Sequence, residues 1–504
     1  MACSCAVSVP QAINSDKGVK MAVDLRLYKR AAFPSVAVET VEEERFLSGL
    51  LRMFAESPIY KIASIGGLID CRECKPVDAS SNYPKAFAWM AQQAGAVLVV
   101  YDYQHVIRNP GAYRALKDSF GDLKNNQSMV VLVAPSWSLP AELSHDLPVL
   151  PFDLPTRAGL AITLHFVAEN ADIEVSNEEA LLDAAAGLSQ QEAENAFALS
   201  LVKDKALLPA TVEAEKMRLV KSSGYLEVTS PIDPAMLGGL SELKRYINED
   251  VLPSMRDDFL KTRGMILTGV PGTGKTLACR VISAMLGWPI LRMDVSSLKG
   301  SLVGQSESNM RQALKLAEAV SPCVLMCDEV EKAVGGYASS AASDGGTTLG
   351  MVGLLLQWLN DHTRSILTVM TCNDYAKLPP ELTRAGRIDE RFFVDLPTVG
   401  EREEIARVHL QKYTGEVDGL CPKIAALTDA WTGAEIEQLV KSAARRTRRK
   451  VTLEALQAAA RDIRPISKVK ADEINSLRAW AKDTLRLANS PEVKAAQGRK
   501  VSIS

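Results

Sequence analysis

Gly269-Val270-Pro271-Gly272-Thr273-Gly274-Lys275-Thr276 stands between an apolar run, GMILT at 264–268, and a helix-forming run, LACRVISAML at 277–286. Its spacing is that of a P-loop, and strand, loop and helix in that order are the context a P-loop requires. Each residue type has a physical reason. Glycines let consecutive backbone N–H groups curl around phosphate oxygens, and the N-terminus of the following helix adds positive potential. Lys275 has the length and charge to reach the outer phosphates, and the Thr276 hydroxyl suits magnesium. Residues 269–276 together with Leu277 are therefore the expected binding loop of a site for ATP and Mg2+.

Further along, Val324-Leu325-Met326-Cys327-Asp328-Glu329 is an apolar strand ending in two acids. In an open parallel sheet such ends line the carboxyl edge, where nucleotides bind. Asp328 is expected to hold magnesium through water and Glu329 to polarise the attacking water, because in-line phosphoryl displacement needs an oriented nucleophile. Asn373 closes another apolar strand, from which its amide can position that water. The runs Ile266–Thr268, Ile366–Thr371 and Phe392–Val394 read as further buried strands with helices between them.

With these residues in place, Asp328-Glu329-Val330-Glu331-Lys332, Asn373 and Leu382-Thr383-Arg384-Ala385-Gly386-Arg387 resemble the Walker B strand and second region of homology of the AAA ATPase family. The likeness spans residues 232–465. It implies that Arg384 and Arg387 are arginine fingers reaching the γ-phosphate of a neighbouring subunit, where a cation matches charge building on the transferred phosphoryl. A homo-oligomeric ring, a hexamer, is implied with them. So are a place beside the adenine for Leu237 and Gly238, and a lid contact for Gly433 and Ala434. SDGGTT at 343–348, WLND at 358–361 and LPPELTRAGRIDERFFVDLP at 378–397 are similar to AAA proteins encoded in algal plastid genomes and cyanobacteria, a likeness that covers most of the chain.

Upstream, the β-rich runs Ala96–Tyr101 and Met129–Ala134 flank a helix-like stretch, Pro110–Asp122, which indicates βαβ units. Phe46, Leu47, Leu50 and Leu51 have helical spacing. Asp153-Leu154-Pro155-Thr156 recurs as Asp395-Leu396-Pro397-Thr398, and an acidic helix start follows each, GLSQQEAE from Gly187 and TGAEIEQL from Thr432. Shared landmarks in shared order indicate an internal duplication. The first copy reads as degenerate, because SPIYKIASIGGLID at 57–70, where its P-loop would fall, lacks a Gly-Lys-Thr ending.

The expected fold is α/β: an N-terminal degenerate P-loop-like α/β module with a helical subdomain, then an AAA module built as a parallel αβα sandwich with a small helical lid. The expected limits are a flexible arm at 1–22, the first α/β domain at 23–165, its helical subdomain and linker at 166–230, the large ATPase domain at 231–400, the lid at 401–465 and a helical tail at 466–504.

Bulk properties set the outer bounds. A chain of 504 residues exceeds the size at which single cores stop growing, about 250–300 residues. Hydrophobic residues at 47% and charged residues at 24% exclude a fibrous or largely disordered class. A net charge of -3 gives no whole-molecule attraction to nucleic acid or anionic membrane, so such a contact needs a local patch. Nine scattered cysteines, a start unlike a signal peptide and no apolar run near about 20 residues lead to a soluble, cytoplasmic protein without a membrane partner. Cys71 and Cys74 form a CxxC with no second pair, which favours a loop over structural zinc.

Three features fit the motor reading less directly. KSAARRTRRK at 441–450 reads as a solvated helix end, with nucleic-acid contact as the less favoured alternative. Leu302 stands where AAA unfoldases carry a pore-loop aromatic, as a softer grip or as core packing. Gly335–Thr348 reads as a loop, either a second pore loop or a linker. Two functions follow: an ATP-hydrolysing motor that remodels a protein or complex recruited by the N-terminal region, or a nucleotide-controlled scaffold or nucleic-acid-associated switch.

Overall fold

Short apolar runs become strands buried on both faces in two separate sheets. The computed structural model describes residues 24–490 except 138, 256, 258–259, 300–304, 335–344, 376–377, 379–387, 414–416 and 449. The chain divides into two compact units, Met1–Lys216 and Met217–Ser504.

The first unit contains β1 (Ser35–Glu39), β2 (Ile59–Ile62), β3 (Leu68–Asp70), β4 (Lys75–Asp78), β5 (Val97–Tyr101), β6 (Met129–Ala134) and β7 (Val149–Pro151). They form one sheet in the order β4-β3-β2-β5-β6-β1-β7, with β3 and β4 antiparallel at one edge. Alternate residues of β5 and β6 face two different cores: Leu98, Val100, Val130 and Leu132 enter one, and Val97, Val99, Val131 and Val133 the other. The period-two alternation of side chains explains this division. Helices Arg157–Asn170, Glu178–Ala185, Gln190–Asp204 and Pro209–Ser222 follow the sheet.

The second unit contains β8 (Glu227–Thr229), β9 (Gly264–Gly269), β10 (Ile290–Met293), β11 (Cys323–Cys327), β12 (Ile366–Cys372), β13 (Glu390–Val394) and β14 (Arg486–Leu487), in the order β14-β13-β9-β12-β11-β10-β8. Helices Gln305–Val320 and Gly345–Asp361 cover one face, while Lys275–Leu286 covers the other, giving the αβα sandwich. The lid consists of Val399–Leu410, Cys421–Leu427, Gly433–Arg446 and Leu453–Asp462 around Leu410, Ile436, Leu439 and Leu456.

Taking the parallel strands β1, β2, β5, β6 and β7 of the first unit and β9 to β13 of the second, each set in chain order, both sheets run fifth, first, fourth, third, second. The repeated Asp-Leu-Pro-Thr does the same job twice. Thr156 and Thr398 each accept a backbone N–H at the start of the helix that follows β7 and β13 respectively. Ser189 and Thr432 each form a capping box on the acidic helix beyond it. Such boxes satisfy N–H groups that helix starts otherwise leave open.

The position assigned to the first copy's missing P-loop needs correction. Residues 57–70 hold β2, the tip of a hairpin and β3, whereas the loop that follows the first strand is only Thr40–Glu42, leading into helix Glu43–Met53. The strand SVAVE was overlooked because it is short and ends against acidic residues. The end of the stretch 166–230, read as helical subdomain and linker, belongs to the second unit: residues 217–230 supply β8 and the core residues Val220 and Leu226. The loop expected over Gly335–Thr348 ends early, because a helix begins at Gly345; residues 335–344 lie outside the described residues.

The tail does more than extend a helix. After Ala471–Thr484 the chain adds β14 beside β13, and Ala488 N–H donates to Phe393 O at 2.9 Å. Buried Glu401 fastens it there, accepting from Ser490 N and Asn489 Nδ2 at 2.9 Å each, and from Leu240 N and Thr398 N at 2.9 Å each. Glu401→Ala leaves several buried donors unpaired and is expected to destabilise the second unit by about 3 kcal/mol. Chemical unfolding followed by tryptophan fluorescence measures this; an unshifted midpoint would remove the carboxylate from its structural role.

Candidate functional site

The loop Gly269–Gly274 connects β9 to helix Lys275–Leu286 at the carboxyl edge of the second sheet. Its glycines are required by backbone geometry. Gly269 has φ +153 and an added Cβ would lie 2.1 Å from Val394 O, while Gly272 and Gly274 have φ +83 and +98. Side chains rarely adopt such angles. Gly287, at φ +68, ends the helix and lets its N–H bond back to Ala284 O.

Lys275 is buried, and Nζ donates to Gly269 O at 2.8 Å and Val270 O at 3.0 Å. Burial pulls this ammonium down to about 8, although Cys372, Glu331, Asp328 and Glu329 push it the other way. A cation held in so dry a position, against carbonyl oxygens, is suited to an anionic partner. Thr273 closes the loop by donating to Val270 O at 2.8 Å. Val270 is fully buried, Pro271 and Thr276 are exposed, and Leu277 packs against the core.

Asp328 follows β11 directly. Its Oδ1 accepts from the Thr276 hydroxyl at 3.2 Å and the Thr371 hydroxyl at 2.5 Å, and its Oδ2 from Arg292 at 3.3 Å. Glu329 has φ +50, and its N–H donates to Thr371 Oγ1 at 2.9 Å. Its carboxylate accepts from Asn373 Nδ2 at 3.2 Å and pairs with Lys332. The two acids, Thr276, Asn373 and the lysine loop thus share one strand edge.

Two remote segments meet the same loop. A Cβ on Gly274 would come 3.8 Å from Leu237 Cδ1, and one on Gly238 would strike Ile405 N of the first lid helix at 2.6 Å. Ala434 N–H donates to Gly272 O at 3.1 Å, and a Cβ on Gly433 would lie 3.8 Å from that carbonyl. Leu237, Gly433 and Ala434 therefore lie against the loop, and Gly238 lies next to Leu237 against the lid helix. Arg384, Arg387 and Leu302 lie outside the described residues.

Two participants escaped the sequence reading. Glu331 is buried, with Oε1 accepting both Asn373 N and Nδ2 at 3.1 Å and with Oε2 lacking a hydrogen-bond partner among the described residues. Its signal was the third acid in Asp-Glu-Val-Glu. Arg292, which touches Asp328 from β10, carried no signal, because that short strand has no distinctive pattern.

The corresponding edge of the first unit is filled by its own side chains. Glu42, almost wholly buried, accepts Gln190 N–H at 2.7 Å and pairs with Arg45, whose guanidinium lies 4.2 Å from the Phe152 ring centroid. Trp137 Nε1–H donates to Val38 O at 3.0 Å. Asp102 follows β5 as Asp328 follows β11, but its Oδ2 accepts from the Ser64 hydroxyl at 2.9 Å.

The comparisons with known proteins agree with this picture. Residues 265–396 match the model of the ATPase family associated with various cellular activities (AAA). Residues 21–152 and 161–223 match the N-terminal and second domains of SpoVK-like AAA ATPases. The AAA domain-containing protein ycf46 of Guillardia theta is 28% identical over 497 residues, covering 92% of this chain and 96% of that protein. Its counterpart in Gracilaria tenuistipitata var. liui is 30% identical over 404 residues, covering 76% and 81%. The ATP-dependent zinc metalloprotease FtsH 3 of Sorangium cellulosum (strain So ce56) is 33% identical over 229 residues, covering 42% and 36%. Among the described residues, no helix is long and apolar enough to cross a membrane. By its sheet order, its loop and its near full-length relatives, this chain belongs to the AAA ATPases, alongside the ycf46 AAA domain-containing proteins.

Proposed function

We propose that the chain is an ATP-hydrolysing motor that assembles as a hexameric ring and remodels a protein or complex recruited by its N-terminal unit. One observation carries this reading: Thr276, Asp328, Glu329 and Asn373 converge on one sheet edge, bound to one another directly or through Thr371, while the Lys275 ammonium rests on the carbonyls of the adjoining loop. Backbone N–H groups of residues 272–276 and the Lys275 ammonium hold the triphosphate. Leu237 and Gly238 border the adenine, while Gly433 and Ala434 link the lid to the loop.

Hard oxygen donors suit magnesium, and the Thr276 hydroxyl beside the Asp328 carboxylate offers them. When bound there, the ion would offset charge on the phosphates. Glu329 orients a water for in-line attack; the oxygen bonds to the γ-phosphorus as the bond to the bridging oxygen breaks. Asn373 fixes the Glu329 carboxylate, and Glu331 fixes Asn373 by taking two of its N–H groups. Arg384 and Arg387 supply positive charge from the neighbouring subunit. The lid registers the outcome because Gly272 and Ala434 are joined by a backbone hydrogen bond.

The first unit, its edge occupied by Glu42, Arg45 and Trp137, binds no nucleotide and serves as the recruiting element. Equilibrium binding of a magnesium nucleotide to purified protein is expected to saturate at about one per chain, the one P-loop setting the number. Two per chain would overturn the role given to the first unit, and none would overturn the whole reading. ATPase rates with an unfolded protein, RNA or DNA separate the motor from a nucleic-acid switch: stimulation by nucleic acid alone counts against remodelling.

A further inference from the structure

The lid carries a charge that nucleotide chemistry does not use. From Lys441 to Arg464 there are eight basic residues and two acids, a local charge of +6 (eight minus two) in a chain of net charge -3. Lys441, Arg445, Arg448, Lys450, Arg461 and Arg464 are all exposed, and none of their side chains has a partner among the described residues. Lys441 and Arg445 stand four residues apart on one face of Gly433–Arg446, and Arg448, at φ +53, lies in the turn just beyond the helix end. Arg446 pairs with Asp462, which draws the ends of helices Gly433–Arg446 and Leu453–Asp462 together with Arg461 beside them, and Arg464 follows as the chain runs back to Glu435, which accepts Ile466 N–H at 2.7 Å.

Helix ends alone do not account for this charge. Each helix C-terminus is equivalent to about half a negative charge, so the two converging ends call for about one cation. Six unpaired cations exceed that severalfold, and like charges held close raise one another's energy unless an anion is near. Lipid is a poor match, since Ile436, Leu439, Val440 and Ala443 of this helix are buried in the lid core and leave no apolar face to insert. Arginine predominates, and its planar fork pairs bidentately with phosphate. No aromatic residue lies between 441 and 464 to stack on bases.

We propose that this basic lid face binds a nucleic-acid backbone without reading its bases. The surface is separate from the nucleotide site: among the described residues, none of the six cations is hydrogen-bonded or ion-paired to the phosphate loop, Asp328 or Glu329. Binding is therefore independent of hydrolysis and is tested without ATP.

The experiment uses the full chain and measures fluorescence anisotropy of labelled single-stranded RNA and duplex DNA between about 50 and 200 mM salt. Wild type is expected to bind both with an affinity that falls steeply with salt. The triple substitution Lys441→Ala, Arg445→Ala, Arg448→Ala should weaken binding by about tenfold or more at low salt and reduce the log–log salt slope by about 2 to 3. Its ATPase rate should stay at the wild-type value, which also reports that the lid is folded. Three outcomes would overturn the proposal: no nucleic-acid binding by wild type, equal binding by the variant, or binding to phosphatidylserine vesicles in its place.

Discussion

Replacing Glu329 by Gln is expected to leave ATP bound while turnover falls by about two orders of magnitude or more. The substitution keeps the size of the side chain and an oxygen for Asn373 Nδ2, 3.2 Å away, but removes the charge that polarises water. Glu329 stands at φ +50 just past β11, fastened through its N–H to Thr371, so the backbone holds the side chain at the strand edge with or without the charge. Nucleotide affinity and single-turnover hydrolysis, measured on the same preparation, report the two halves of the expectation. Undiminished turnover would take the assigned role away from Glu329. The bound, slow form is also the natural bait for capturing the protein or complex on which the motor acts.

Lys275→Ala is expected to abolish hydrolysis and to weaken ATP binding by about a hundredfold or more, the value of a charge-assisted contact made in a dry site. The Nζ lies within 3.0 Å of Gly269 O and Val270 O, and truncation leaves a cavity beneath the loop as well as removing the charge. A variant that binds ATP as tightly as wild type would separate the loop from the triphosphate altogether. Arg387→Ala makes the complementary test, sparing binding but not hydrolysis. Mixing Lys275→Ala and Arg387→Ala subunits should restore part of the activity, because an intact loop in one subunit then faces an intact finger from its neighbour. Failure to restore it would place the finger within its own chain.

Much of the site was legible because its parts are local. A glycine loop followed by Lys275 and Thr276, or a strand ending in Asp328 and Glu329, needs only a few adjacent residues to declare its chemistry. The strands β5, β6, β9, β11 and β12 were legible for a related reason: buried on both faces, they appear as unbroken apolar runs. The recurring Asp-Leu-Pro-Thr pointed to two similar modules, and the common strand order and paired helix caps show the likeness in full.

Other features exist only through contacts between distant segments. Glu331 reads as one more acid in an acidic run until the fold buries it against Asn373, and Arg292 acquires its relation to Asp328 from the pairing of β10 with β11. The tail strand β14 is too short to show a pattern, and it depends on Glu401 and the exposed edge of β13 for its place. The eight basic residues from Lys441 to Arg464 could be counted from the letters, but not that six of them have no partner among the described residues. Short-range patterns record backbone geometry and the chemistry of neighbouring residues, whereas burial, pairing and the meeting of helix ends depend on which distant segments pack together.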